Sequence, residues 1–418
     1  MATVAGLQCV RCGALYPPVG TGYDCVKCRP VVRSNLTVAY DDALRVRRPR
    51  PGADAPAGLW RYGELLPVRR AEAVTLAEGG TPLHSLGELA AELGIGQLLV
   101  KDESRNPTGS FKDRLACLAV SAARKQGAGM LASSSSGNAG AAVAAYAAKA
   151  RIPCVVFTFN AAAGPVIAQM RAYGAMVLSV ADRADRWKLL EAGVREHGWF
   201  PTSPFFGPAV GSNPYGIEGY KTLAYEIAEG MDWDVPDWCV LPVCYGDALL
   251  GMWKGFEDMM AFGWTSRMPR MVAAEVYGSL SSALDAGAQA PLAMERSHDT
   301  VATSIGAVQG TYQSLDVLRR SNGAAVKVGD DGMLQWQARL ASTEGLFVEP
   351  SSAAAFAAVE QMRDRGQIGA ADKVAVLLTA TGLKDPAAVR AVPAEPPMVG
   401  SNLDDALQAL RTHYGFSH

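Results

Sequence analysis

The stretch Asn106-Pro107-Thr108-Gly109-Ser110-Phe111-Lys112-Asp113-Arg114 decides the reading of this chain, together with Ser133-Ser134-Ser135-Ser136-Gly137-Asn138-Ala139-Gly140 a little further on. Each is a run of small residues leading into a helical pattern. A helix start carries unpaired N–H groups and the positive end of the dipole, so it holds anions well. Lys112 stands at such a start, where a cation opposes the dipole. A surface role therefore suits it poorly, and a lysine with a lowered pKa is a Schiff-base former. The two segments read as a site for pyridoxal phosphate (PLP), with Lys112 carrying the cofactor.

Outward from this stretch the chain alternates short apolar runs with helical patterns. Leu98 to Val100, Met130 to Ala132, Ile152 to Phe157 and Met176 to Val180 are predicted strands. Phe111 to Gly127, Gly140 to Ala150, Ala162 to Tyr173 and Arg183 to Glu196 are predicted helices between and after them. Farther on, Trp238 to Val243, Arg270 to Glu275, Ala324 to Val328 and Lys373 to Leu378 are further strands. This rhythm predicts α/β architecture with parallel sheets covered on both faces. Val243-Cys244-Tyr245-Gly246-Asp247-Ala248 is a second strand–loop–helix junction and reads as a phosphate cradle. The tail from Leu403 to Thr412 is amphipathic and is expected to pack on the body or on a partner subunit, and residues 47 to 57 read as a linker.

Cys9-Val10-Arg11-Cys12 and Cys25-Val26-Lys27-Cys28 are paired CxxC knuckles with twelve residues between them. Four thiolates on two turns suit a structural zinc ion, with redox pairing as the rival reading. The other four of the eight cysteines are scattered, which does not suggest disulfides. The net charge of −2 in 418 residues points to neither nucleic acid nor an anionic membrane. Arg11, Lys27 and Arg29 lack aromatic interleaving, so a nucleic-acid-binding ribbon is disfavoured. No signal pattern and no membrane-spanning run is evident, and the expected location is the cytoplasm.

Several segments in order carry a resemblance: Lys101-Asp102-Glu103, Asn106 through Arg114, Ser135 through Asn138, Asn213-Pro214, Glu218-Gly219, Lys221-Thr222, Glu349-Pro350 and Thr379 through Pro386. The chain resembles the PLP enzymes of the tryptophan-synthase-β-like fold, threonine synthases most closely. The resemblance implies two doubly wound parallel-sheet domains with PLP between them, plus an N-terminal zinc-ribbon-like segment of the kind some threonine synthases have. On that pattern the ribbon is 1–36, the large PLP-binding domain 37–96 with 203–395, the small domain 97–202 and the helical tail 396–418. It also implies a homodimer.

The resemblance makes Lys112 the catalytic lysine and Asn138 the partner of the cofactor's phenolic oxygen. It makes Thr379 the hydroxyl at the pyridine nitrogen, which favours elimination and replacement over transamination. Val243, Cys244, Tyr245, Gly246, Asp247 and Ala248 would receive the cofactor phosphate, with the Asp247 side chain turned outward to cap the following helix. Ser135, Ser136, Gly137 and Ala139 would receive the substrate, its carboxylate on backbone N–H groups. The implied activity is a lyase or synthase acting on an amino acid with a leaving group at Cβ or Cγ, either phosphohomoserine or an unphosphorylated substrate of a dehydratase or β-replacement synthase. The family's phosphate-gripping positions hold Gly216, Ala139 and Ala248 here, with Lys221 or Arg171 as candidate replacements. A regulatory protein of this fold is disfavoured by Lys112, Asn138 and Thr379 occurring together.

Overall fold

The computed structural model describes residues 3–19, 23–41, 46–49, 56–159, 164–205, 207, 210–389 and 395–416. Residues 50–55 of the expected linker and the first two of the helix expected from Ala162 lie outside them. Three sheets organise the chain. The first is a small antiparallel ribbon of β1 (Val4–Cys9), β2 (Leu15–Tyr16) and β3 (Leu36–Tyr40), in the order β2-β1-β3.

The largest sheet holds β4 (Leu83–Ser85), β5 (Gln97–Asp102), β10 (Trp238–Pro242), β11 (Arg270–Glu275), β12 (Ala324–Lys327) and β13 (Lys373–Leu378). Its order is β12-β11-β10-β13-β5-β4, parallel throughout except for the edge strand β4. The remaining sheet is fully parallel, β8 (Met176–Val180), β7 (Cys154–Phe159), β6 (Leu131–Ser134) and β9 (Phe200–Pro201).

Successive side chains of a strand point to opposite faces, and both faces of the largest sheet are apolar. Leu99, Cys239, Leu241, Met271, Ala273, Ala375 and Leu377 enter one buried cluster. Val100, Val240, Val272, Val374, Val376 and Leu378 enter the cluster on the other side. The alanine-rich helix Asn138–Ala150 is buried from Gly140 to Ala147 because small side chains let it lie close to the helix Lys112–Lys125.

Two expectations about organisation need correcting. The segment 97–202 is divided, since β5 pairs with β13 in the larger sheet. Likewise β3 belongs to the ribbon rather than to the segment that follows residue 36. Sequence alternation located the strands but carries no information on which neighbour each one pairs with. Of the two places expected for the tail helix Leu403–Tyr414, the body of its own chain buries none of its residues, and Leu403 is 72% exposed.

The segment from Leu59 to Gly80 docks on the core. Trp60 Nε1 and Tyr146 OH donate to opposite oxygens of buried Glu78, at 3.0 and 2.6 Å. Gly79 and Gly80 have φ of 79° and 62°, which suits glycine, and their N–H groups donate to Asn106 Oδ1 and Glu226 Oε1.

Candidate active site

Parallel sheets gather their strand-to-helix loops at the carboxyl ends of the strands, where ligands bind. Adjacent β5 and β13 therefore bring the Asn106–Lys112 loop beside Thr379. The Phe111 N–H donates to the Thr379 carbonyl at 2.8 Å, and Ser110 bridges Ala380. The carboxyl end of β6 delivers Ser135 to Asn138, and that of β10 delivers Val243 to Ala248.

Lys112 opens the helix Lys112–Lys125 and is half-buried. Its Nζ lies 4.5 Å from the Phe111 ring centre and 5.8 Å from that of Tyr220, and these two rings stack at 5.3 Å. Among the described residues it has no hydrogen-bond or ion-pair partner. Burial pushes its amine below the ordinary lysine range, against the opposing pull of Asp247, Cys244 and Glu349.

Asn138 is buried, and its Nδ2 donates to both oxygens of Glu349 at 3.2 and 3.0 Å. Its Oδ1 is buried without a partner among the described residues. Burial holds the Glu349 carboxyl above its usual range, partly offset by the Asn138 amide. Thr379 Oγ1 lies 2.7 Å from Ser352 Oγ, which also accepts the N–H groups of Thr379 and Ala380. That leaves the threonine hydroxyl in a fixed position at the strand end.

The serine loop offers fewer free amides than its sequence suggests. The Ser135 N–H donates to the Phe157 carbonyl and that of Gly137 to Ser135 Oγ. The Ser136 N–H and the first-turn N–H groups of Asn138 and Ala139 remain for a carboxylate.

In the cradle, Gly246 has φ 74°, and a Cβ there would stand 1.8 Å from Ser314 Oγ, so only glycine fits. Asp247 is placed differently from the expectation. Its side chain is buried, accepting the Ser212 N–H and hydroxyl at 3.0 and 2.6 Å and Gln313 Nε2 at 3.0 Å. It does not cap the helix Asp247–Ala261, whose cap is Gly246 with no side-chain bond. The carboxylate is turned away by partners remote in sequence, leaving the first-turn amides to an anion.

Gly216 cannot be replaced by a gripping side chain on this backbone. A Cβ there would lie 2.8 Å from Leu115 Cγ and 3.0 Å from the Leu115 carbonyl oxygen. The Gly216→Ala variant is expected to lose about 1–3 kcal/mol through overpacking, read as a lower urea midpoint at unchanged m-value. Of the two suggested substitutes, Lys221 is buried between Glu218 and Asp258 at 3.1 and 2.8 Å and so is already engaged, while Arg171 is exposed.

A cation not singled out as a site residue lies closer. Lys384 lines the same cavity as Ser136, Gly137, Asn138, Ser304 and Glu349. Its Nζ donates to Gln169 Oε1 at 2.7 Å, and burial lowers its amine. In sequence Glu349 is likewise only one member of the Glu349-Pro350 motif. The signal for both was present, an acid directly before a helix-opening proline and a lysine in a small-residue turn, but neither motif shows that the two share a cavity with Asn138.

The four ribbon cysteines converge. Their Sγ atoms all lie within 4.8 Å of one another, with Cys9–Cys28 at 3.8 Å and Cys12–Cys25 at 3.6 Å. Sulfurs about 2.3 Å from a tetrahedral zinc are separated by nearly that distance, whereas a disulfide needs about 2.05 Å.

An unpartnered half-buried amine, an unpartnered buried amide oxygen and a glycine-dependent helix start fit PLP together. A family model described as pyridoxal-phosphate dependent enzyme matches residues 74–380. The chain belongs to this family. The PLP-dependent chain is 38% identical over 415 residues to the threonine synthase of Methanosarcina acetivorans, covering 97% of this chain and 98% of the relative. It is 33% identical over 403 residues to that of Methanocaldococcus jannaschii, covering 92% and 94%.

Among solved structures, maize serine racemase matches this PLP enzyme's fold with a TM-score of 0.63 at 20% identity, over 73% of this chain and 89% of that one. Diaminopropionate ammonia lyase from Escherichia coli gives 0.64 at 17% identity, over 75% and 87%. These two speak to fold alone. With the threonine synthase relatives, the activity is that of a PLP-dependent carbon–oxygen lyase, elimination and replacement on an amino acid. Among the described residues no helix is long and apolar enough to cross a membrane.

Proposed function

We propose that this enzyme forms threonine from O-phosphohomoserine, with Lys112 as the group that moves protons at the substrate carbons. The observation that carries the reading is the Lys112 amine, half-buried, without a hydrogen-bond or ion-pair partner among the described residues and one residue from the Phe111–Thr379 backbone bond, in a chain threonine synthase-like over nearly its full length. Bound PLP supplies an electron sink for charge developing at the substrate Cα. The residues that would hold it are Lys112 and Asn138 toward its reactive edge, Thr379 toward the ring nitrogen and the amides from Val243 to Ala248 toward the phosphate. A lowered lysine pKa keeps more of the amine neutral near pH 7, the form that accepts a proton. The first-turn amides after Ser136 take the substrate carboxylate, and Lys384 supplies the cation for the leaving phosphate.

A second reading, an unphosphorylated substrate of a dehydratase or β-replacement synthase, is favoured by one observation: Gly216 is sealed against Leu115, so no phosphate-gripping side chain fits at that position. The assay that separates them supplies O-phosphohomoserine, homoserine, serine and acylated analogues, and follows phosphate, threonine and 2-oxo acids. Joint release of phosphate and threonine supports the first reading. Oxo-acid formation from serine or threonine, with O-phosphohomoserine untouched, supports the second. The Lys384→Met variant is expected to raise KM for O-phosphohomoserine by roughly 10- to 100-fold, the value of one charge-assisted bond.

The ribbon is read as a structural zinc site of Cys9, Cys12, Cys25 and Cys28. Elemental analysis is expected to give one zinc per chain. Chelation is expected to expose four thiols and lower the melting temperature. Metal-free protein with the same melting temperature would contradict the assignment. The working unit is a cytoplasmic homodimer on this reading.

A further inference from the structure

The ribbon is joined to the cofactor loop by a continuous buried chain. Asn35 lies between the two cysteine knuckles: its carbonyl accepts the Val10 N–H at 3.1 Å, and the neighbouring Ser34 carbonyl accepts the Cys25 N–H at 2.9 Å. Both knuckles therefore fix its backbone. Its side chain points away from them, fully buried, and Nδ2 donates to Gln313 Oε1 at 2.9 Å. Gln313 Nε2 in turn donates to the Tyr245 carbonyl at 2.8 Å and to Asp247 Oδ1 at 3.0 Å. Tyr245 and Asp247 flank Gly246 at the start of the helix Asp247–Ala261.

The junction is tightly packed. A Cβ at Gly211, where φ is 128°, would stand 2.7 Å from Asn35 Nδ2, 2.7 Å from Gln313 Nε2 and 2.8 Å from Asp247 Oδ1. Asn35 Oδ1 is itself buried without a partner among the described residues. Burying an unpaired amide oxygen costs free energy, so a residue present only to fill space there would be apolar. Asparagine is explained by what its Nδ2 holds.

We propose that Asn35 is a positioning residue of the cofactor site. Through Gln313 it sets the Tyr245 carbonyl and the Asp247 carboxylate, and so aims the amides of the loop Val243–Ala248 at the cofactor's phosphate. Turned away by Gln313 and Ser212, the Asp247 carboxylate leaves that anion a site made of N–H groups alone. The ribbon is then part of the cofactor site and not an appended module. This rests on the loop being the phosphate cradle.

The test titrates cofactor-free protein with PLP and, separately, with pyridoxal, which has the ring and aldehyde but no phosphate, following bound ligand by absorbance. Wild type is expected to bind PLP far more tightly than pyridoxal. Asn35→Ala is expected to weaken PLP about tenfold, the worth of one buried hydrogen bond, while pyridoxal changes less than twofold. Gln313→Leu should do the same with the ribbon sequence intact, and the double variant should cost no more than the larger single one. Thr37→Val removes a ribbon hydroxyl that meets Lys254 and Glu218 instead, and is expected to leave both affinities unchanged.

Equal weakening of both ligands by Asn35→Ala, or additive effects in the double variant, would overturn the proposal. If wild type itself did not distinguish PLP from pyridoxal, the cradle reading would fall first and the proposal with it. Should Asn35→Ala not fold, Gln313→Leu decides alone: unchanged PLP affinity overturns the proposal, and phosphate-specific loss upholds it.

Discussion

Replacing Lys112 by alanine is expected to lower turnover by about 10,000-fold while leaving the fold as stable as before, or more so. The kinetic loss is that of a proton-moving group in the transition state, at the upper end of what such groups contribute, because this one also carries the cofactor. The stability expectation follows from the site. The amine is half-buried, lies against the Phe111 and Tyr220 rings, and has no acceptor among the described residues. Removing an unpaired amine from such a place relieves a desolvation cost. Turnover of the PLP-loaded protein and thermal melting of the cofactor-free protein check the two halves. A cofactor-free melting temperature several degrees below that of cofactor-free wild type would point to a structural lysine instead.

Replacing Arg114 by methionine, two residues along the same helix, is expected to do the opposite and cost about 3–5 kcal/mol of folding stability. Its fully buried guanidinium makes paired bonds of 2.7 and 2.8 Å to Glu103 and of 2.6 and 2.7 Å to Glu226, plus one of 2.7 Å to Thr222. Lys101 reaches Glu226 at 2.6 Å. Loss of the arginine leaves Glu103 buried with no cation.

The pH dependence has a definite sign. Burial alone would raise the Glu226 carboxyl, but Arg114 and Lys101 outweigh it and hold it well below the usual range. A depressed carboxylate contributes stability that is present above its unfolded pKa, near 4.3, and is lost as pH falls toward its folded value. The gap between wild type and Arg114→Met is therefore expected to be widest near pH 7 and to narrow below about pH 4. Urea unfolding at both pH values measures it, and a gap that grew on acidification would contradict the assignment.

Much of the site was legible in sequence where its parts are neighbours along the chain. Asn106 through Arg114 is one covalent run, so a turn, a helix start and a lysine could be placed before any tertiary contact was known. The cysteine knuckles were legible for the same reason, since two CxxC pairs fix the geometry of four sulfurs within two turns. What was not legible depends on distant partners. Asp247 could be read only as a carboxylate beside a phosphate loop, because Ser212 and Gln313 reach it from two other segments. Lys384 and Glu349 are separated in sequence from the Asn138 they accompany. The membership of β5 in the larger sheet depends on its register with β13, which no alternation of apolar residues encodes.

The most direct test of the account is to reconstitute the enzyme with PLP, reduce it with borohydride, digest it and locate the pyridoxyl group by mass spectrometry. The account predicts one modified residue, Lys112, with the modification absent from the Lys112→Ala variant. A pyridoxyl group on Lys101, Lys221 or Lys384 in place of Lys112 would contradict it.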